Sequence, residues 1–221
     1  MYFAYGETET ETEYLKRKDK ALGAVIDAVG HVWREVDGDL FAAVVHQIIG
    51  QQISNKALAT IWQRVQAGLG VVDAAHIAAA GPAALQAFGM SMRKAAYIRD
   101  FANQVQSGAF DLQAVAQLPD AEAIRALTAL KGVGVWTAEM ILLFCLQRPD
   151  VLSYDDLAIQ RGLRMVHRHR HISRALFEKY RRRYSPYGSV ASLYLWAAAG
   201  GAVPGLTDPA PAGGKTARPR L

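Results

Sequence analysis

The scarcest residue in this 221-residue sequence is cysteine, with Cys145 alone. One thiol excludes an internal disulfide, a cysteine-ligated zinc and an iron-sulfur cluster, since each needs several thiolates. Cys145 itself reads as a buried helical residue. Long apolar runs are also missing: the longest, such as Met140 to Leu146, fall far short of the roughly 20 residues that cross a bilayer. The N-terminus lacks the basic, apolar and small-residue succession of a secretory leader, so the expectation is a soluble, cytoplasmic chain with no membrane partner. Sustained period-two alternation is absent, which argues against a half-buried sheet. Acid is scarce where base is dense. Arg161 to Arg183 holds nine Lys/Arg against one acid, Glu178, in a chain of net charge +5 and pI near 9.4. Such a block is either a solvated face or the footprint of a polyanionic partner.

What is present is helical spacing. Leu40, Phe41, Val44, Val45, Ile48 and Ile49 fall on one helical face, as do Leu58, Ile61, Trp62, Val65 and Leu69, and then Val190, Leu193, Tyr194 and Ala197. Breaks at Gly68 to Gly70, Gly81-Pro82, Gly108, Leu118-Pro119, Gly132 to Gly134, Pro149 and Pro186 divide the chain into about eight to ten short helices. An apolar content of 51% and this length suit one well-cored domain or two small lobes. The fold class is therefore all-α. The acidic GETETETE opening and the Pro/Gly/Ala-rich ending read as tails, residues 1–14 and 204–221, around a folded part from 15 to 203.

Four segments carry chemistry. In Leu127 to Leu146 one helix ends, Gly132-Val133-Gly134 makes a tight connection, and a second helix starts near Val135. The glycines permit the hairpin and leave backbone amides uncovered, and the positive end of the next helix suits a phosphate oxygen. A plain αα-hairpin would use the same glycines as a stop and a packing device. Asp155-Asp156 lies about twenty residues further on, before a helix over Leu157 to Val166, where an aspartate is also what an N-cap needs. Gln51 and Gln52 sit on a turn ahead of Ser54, a cap for a helix from Asn55. Tyr184-Ser185-Pro186-Tyr187 precedes Leu193-Tyr194-Leu195-Trp196.

Taken in this order, the segments resemble the helix-hairpin-helix (HhH-GPD) DNA glycosylases over roughly residues 35 to 203, and within them the 3-methyladenine DNA glycosylase II type. The resemblance implies a two-lobed helical bundle with the active site in the cleft between the lobes. It implies Asp156 as the catalytic carboxylate, with Asp155 as its neighbour and candidate cap. A fixed carboxylate near the anomeric carbon would stabilise positive charge on the sugar as the base departs, and could orient the attacking water. Trp136 stands where relatives that also cut the backbone carry a Schiff-base lysine, which implies a monofunctional enzyme. Trp136 and Trp196 become aromatic walls for a flipped base, with Met140 beside them where the alkylpurine members often have an aromatic residue. Gln52 is the wedge that fills the gap in the duplex, with Gln51 at its side. Gly132, Gly134 and Val135 face a DNA phosphate.

The carbonyls of Thr128, Leu130 and Val133 match positions that hold a sodium or potassium ion in similar hairpins, a structural ion with no part in bond breaking. No catalytic cofactor or metal is expected. His31, His46 and His76 read as structural, and His167, His169 and His171 would bind metal only by converging on one face. Gly188 departs from the arginine usual after Ser185-Pro186-Tyr187. The implied partner is double-stranded DNA with alkylated bases, engaged by a monomer, in a bacterium at the nucleoid. The competing readings are a non-enzymatic helix-hairpin-helix DNA-binding module, whose aspartates serve only as caps, and a glycosylase for other damaged bases.

Overall fold

The computed structural model describes residues 2–3 and 10–210. Among these residues are twelve helices and no strand, only an isolated antiparallel bridge between Tyr2 and Glu35. That is more helices than the sequence spacing suggests. The surplus comes from short segments such as Leu112–Gln117, whose single turn or two leaves little periodic signal. Two compact units divide the chain: Glu35–Arg148 with Tyr2, and Phe3–Arg34 with the chain from Pro149 onward.

The first unit contains α3 (Leu40–Gly50), α4 (Asn55–Leu69), α5 (Ala74–Ala87), α6 (Met92–Gln106), α7 (Leu112–Gln117), α8 (Asp120–Thr128) and α9 (Val135–Phe144). Short polar side chains start most of them. Asp39, Ser54, Asp73, Ser91 and Asp111 each accept a hydrogen bond from an N–H of the first turn, a contribution of about 1 kcal/mol apiece. The breaks fall where glycine and proline require: Gly70 ends α4 at φ +72°, Gly81 kinks α5 at φ +73° and Pro119 opens α8. At the centre lies α9, with Thr137, Ala138, Met140, Ile141, Leu142 and Leu143 buried and its sides packed on α3 and α8. Phe41 of α3 and Phe101 of α6 stack at 4.9 Å beside it.

The second unit joins the first two helices, α1 (Thr10–Lys18) and α2 (Lys20–Val29), to the last three, α10 (Leu157–His167), α11 (Arg174–Tyr184) and α12 (Gly188–Ala199). Its axis is α12, in which ten residues from Gly188 to Ala199 are buried, as expected of a helix apolar on every side. A Cβ on Gly162 of α10 would collide with the Leu195 carbonyl, so only glycine lets α10 and α12 cross this closely. The ends of the unit are tied by the Tyr14 hydroxyl, which donates to the Ser185 carbonyl at 2.6 Å, and the Tyr194 hydroxyl, which donates to Gly30 at 3.0 Å.

Ordered contacts reach into both segments expected to be tails. Helix α1 begins at Thr10, inside the segment expected to be a tail, and is anchored by the fully buried Leu15. At the other end Asp208 receives two hydrogen bonds from the Arg164 guanidinium of α10, one of them 2.9 Å from Nε. Residues 4–9 and 211–221 of the expected tails lie outside the described residues.

The basic block Arg161 to Arg183 is likewise less free than its composition implies. Arg161 and Arg164 turn to Asp208, Arg174 and Arg181 to Glu178, and Arg183 to Asp19 at 2.9 Å. Asp19 is buried and caps α2, and the Tyr184 hydroxyl lies 3.2 Å from its Oδ2. His167 closes this group, its Nε2 at 2.8 Å from the Tyr184 hydroxyl and its ring stacked on Tyr180 at 4.2 Å. His169 pairs with the Tyr180 hydroxyl instead, at 2.7 Å. Among the described residues no three His, Cys, Asp or Glu side chains converge as a metal site.

Candidate active site and nucleic-acid interface

In the first unit the hairpin between α8 and α9 is built as its sequence demands. Gly132 has φ +84°, and a Cβ there would collide with the Tyr97 ring, so both the backbone conformation and the packing require glycine. Gly134 is different. It is the N-cap of α9, makes no side-chain cap, and a Cβ on it would meet nothing within 4 Å. The start of α9 therefore presents its positive end past a residue with open space around it, with Val135 48% exposed. Trp136 is 39% exposed on the same turn, whereas Met140, one turn further, is 3% exposed. A ligand at this surface would meet the indole and not Met140, because position 140 faces the packed side of α9.

Gln51 and Gln52 differ more than their shared turn suggests. The Gln51 amide is half-buried and donates from Nε2 to the Gly132 carbonyl at 2.6 Å, binding the α3–α4 turn to the hairpin. Gln52 is exposed, with φ +57°, a conformation that a non-glycine residue holds only when its surroundings fix it. Part of that constraint is a residue the sequence pattern does not mark. Lys94 of α6 extends its ammonium to the carbonyls of Ile49 and Gln51, at 2.8 and 2.6 Å, a cation on the negative end of α3. Partial burial and the neighbouring Arg93 lower its pKa below the usual lysine value. Its partners lie 45 and 43 positions away, so no local motif could reveal it.

The carbonyls expected to hold a monovalent cation lie where α8 ends and in the turn that follows. Backbone oxygens at the negative end of a helix are hard, neutral donors of the right kind. That of Leu130 already accepts from the Val133 N–H at 3.1 Å, which leaves it a second lone pair.

In the second unit Asp156 is 7% exposed and is itself the N-cap of α10. Its Oδ1 accepts from the N–H groups of Ala158 and Ile159, at 2.9 and 2.8 Å, and from the Trp196 indole Nε1 at 3.1 Å. The cap thus belongs to Asp156, while Asp155, the neighbour expected to cap, is exposed. The reason is register: Asp156 is the residue immediately before the first helical one, Leu157. Trp196 meets the carboxylate edge-on with its N–H, a contact that orients Asp156. The close α10–α12 crossing at Gly162 brings the two residues within reach.

Gly188 also has a local reason. Its N–H donates to Asp150 Oδ1 at 3.0 Å, and a Cβ there would lie 2.8 Å from that oxygen. The Ser185 hydroxyl donates to the other Asp150 oxygen at 2.6 Å, and Ser189 and Ser192 bond to Val151. An arginine at position 188 would open this seam between α12 and the loop leading to Asp156. Cys145 is half-buried just beyond α9, and burial pushes its thiol up to about 12, which leaves it unreactive.

The family model of the HhH-GPD superfamily base excision DNA repair protein matches residues 45–186. DNA-3-methyladenine glycosylase 1 of Schizosaccharomyces pombe is 37% identical over 114 residues, 51% of this chain and 50% of that protein. The chain spans about half the length of the curated relatives it matches. Among solved structures, a DNA-3-methyladenine glycosidase from Bacillus halodurans superposes with a TM-score of 0.80 at 33% identity, covering 90% of this chain and 93% of that one. The Schizosaccharomyces pombe 3-methyladenine DNA glycosylase in complex with abasic DNA superposes with a TM-score of 0.77 at 26% identity, covering 87% and 97%.

Proposed function

Because the chain belongs to the HhH-GPD superfamily of base excision DNA repair proteins, we propose that it is a monofunctional DNA glycosylase that hydrolyses the N-glycosidic bond of alkylated purines, 3-methyladenine and 7-methylguanine, in double-stranded DNA. The observation that carries this reading is the buried Asp156 carboxylate, held by two backbone N–H groups and one indole N–H. As the base departs, the sugar gains positive charge. A negative group that is already fixed and partly desolvated stabilises that charge without reorganising. The three donors hold the Asp156 carboxylate in one orientation, and Trp196 acts here as a positioning residue.

Trp136 supplies an exposed indole against which an electron-poor alkylated purine can stack. It also bears on the second half of the reaction. A strand-cutting relative attacks the sugar with a lysine amine, whereas an indole has no nucleophilic amine to offer, so an abasic site is the product. Gln52 serves as the wedge, and Gln51 holds the wedge turn to the hairpin. The amides at Gly132, Gly134 and Val135 take a phosphate. The carbonyls of Thr128, Leu130 and Val133 would hold a sodium or potassium ion, which would supply positive charge for binding an anionic backbone and take no part in bond breaking.

The competing reading, a binding module whose aspartate is only a cap, has one observation in its favour: Asp156 does cap α10. Incubation with duplexes that each carry one lesion separates the two. The expected result is abasic-site formation at 3-methyladenine and 7-methylguanine, faster than at hypoxanthine, because a cationic base is the better leaving group and the contacts named here direct few hydrogen bonds at the base. Binding with no base released from any lesion would establish the module instead.

A further inference from the structure

Outside the basic block near the C-terminus the chain has a second stretch of one sign. From Leu40 to Arg99 it holds a single acid, Asp73, against Lys56, Arg64, Arg93, Lys94 and Arg99. Lys94 is spent on the carbonyls of α3, but two of the others flank a shallow concavity on α4, lined by Ser54, Lys56, Thr60, Ile61, Arg64 and Gly89. Lys56, Thr60 and Arg64 stand at i, i+4 and i+8, on one face of the helix and about 12 Å from end to end.

Among the described residues no ion pair joins Lys56 or Arg64 to a carboxylate, unlike Arg161, Arg164, Arg174, Arg181 and Arg183 of the other block. Gly89 keeps the concavity open: a Cβ on it would lie 3.3 Å from Arg64 Nη1, and its φ of +110° excludes other residues without strain. Ile61 is buried between these polar groups, and α4 carries no acid along its length.

We propose that this face of α4 is a DNA-backbone site separate from the hairpin, in which Lys56 and Arg64 each neutralise one phosphate of a strand running along the helix. The phosphodiester backbone is the ligand the chemistry selects. It supplies one negative charge per strand for about every 3.4 Å of axis, so cations about 12 Å apart meet different phosphates. Position supports the same choice. The exposed Gln52 lies two residues before Ser54, on the turn that runs directly into α4, and a duplex engaged by that turn has its backbone beside the first turns of the helix. The inference rests on the glycosylase reading only in taking duplex DNA as the ligand.

The test is the salt dependence of binding to a short undamaged duplex, followed by fluorescence anisotropy. It compares the wild type, the Lys56→Ala/Arg64→Ala double variant, and an Arg17→Ala/Lys20→Ala control that removes the same charge from exposed positions of α1 and α2. With two phosphates lost, the slope of log K against log salt should flatten by about 1.8, so that raising salt from about 50 to about 200 mM costs the double variant about 12-fold less affinity than it costs the wild type. The control should keep the wild-type slope. An unchanged slope, or one flattened equally in the control, overturns the proposal while leaving the glycosylase reading intact. A wild type that binds no duplex and releases no base overturns both.

Discussion

Asparagine at position 156 separates the cap that Asp156 makes in the structure from the catalytic charge proposed for it. Asp156 caps α10 through Oδ1, which takes all three of the hydrogen bonds described, and asparagine offers an Oδ1 of the same shape. Asparagine and aspartate are equivalent caps, so the structural loss is confined to the charge beside the positive end of the helix, about 0.3–1 kcal/mol. For a chain of this size that lowers the melting temperature by no more than about 2–4 °C. The chemical loss is far larger. Removing one preorganised electrostatic group from a transition state typically costs about 10²–10³ in rate, or about 2.7–4 kcal/mol. Asp156→Asn should therefore keep its fold and its affinity for undamaged duplex, and lose at least two orders of magnitude in single-turnover release of 3-methyladenine. Asp156→Ala should lose activity and the cap together, at an added structural cost of about 1 kcal/mol or more. Thermal melting, DNA binding and single-turnover excision on both variants give the answer. An Asp156→Asn protein that releases base at the wild-type rate would refute the assignment, and an asparagine variant as unstable as the alanine one would refute the account of the cap.

Two further outcomes follow from other parts of the molecule. Borohydride added during turnover should trap no covalent protein–DNA adduct, since Trp136 cannot form a Schiff base; efficient trapping would identify another amine as nucleophile. His167 makes stability depend on pH. Burial, the main cause, together with Arg183 and His169, pushes it down to about 4 despite the opposing Asp19 charge, against 6.5 for an ordinary histidine. The unfolded chain then takes up a proton below about pH 6.5 that the folded chain refuses until about pH 4, so the stability present above 6.5 is lost as pH falls between these values. Denaturant unfolding at pH 7 and pH 5 should differ by about 2 kcal/mol, and a drop of the same size in His167→Asn would exclude His167 as its source.

Much of this arrangement is legible in the sequence because it is local. Gly132-Val133-Gly134, Ser54 before Asn55 and Asp156 before Leu157 specify a hairpin and two helix starts from neighbours alone, and the structure places α4, α9 and α10 where those signals put them. What is not legible depends on partners far away in the chain. Composition marks Arg161 to Arg183 as a charged face, but Arg183 meets Asp19, 164 positions away, and Arg164 meets Asp208. Gln51 reads as a neighbour of Gln52 on the same turn until its bond to Gly132, 81 positions on, is seen. Met140 occupies the right turn for a pocket wall, yet periodicity cannot tell which side of a helix as uniformly apolar as α9 faces a ligand.

Trp196 shows how such a long-range contact changes the meaning of a residue. Read alone, an aromatic side chain late in α12 offers a stacking surface. In the structure its N–H points at the carboxylate proposed to act on the sugar. The cap and the charge are then compatible duties, because both need the same thing of Asp156: one oxygen fixed by donors in a partly dehydrated setting. Two of those donors come from the backbone of α10 and the third from α12, and the third is available only because Gly162 lets the helices approach to contact. A small residue about one turn and a half along α10 thus contributes to the electrostatics at its N-cap. Selection for a well-oriented carboxylate would act on Gly162 and Trp196 as well as on Asp156, and the three positions form one unit whose members have no sequence motif in common.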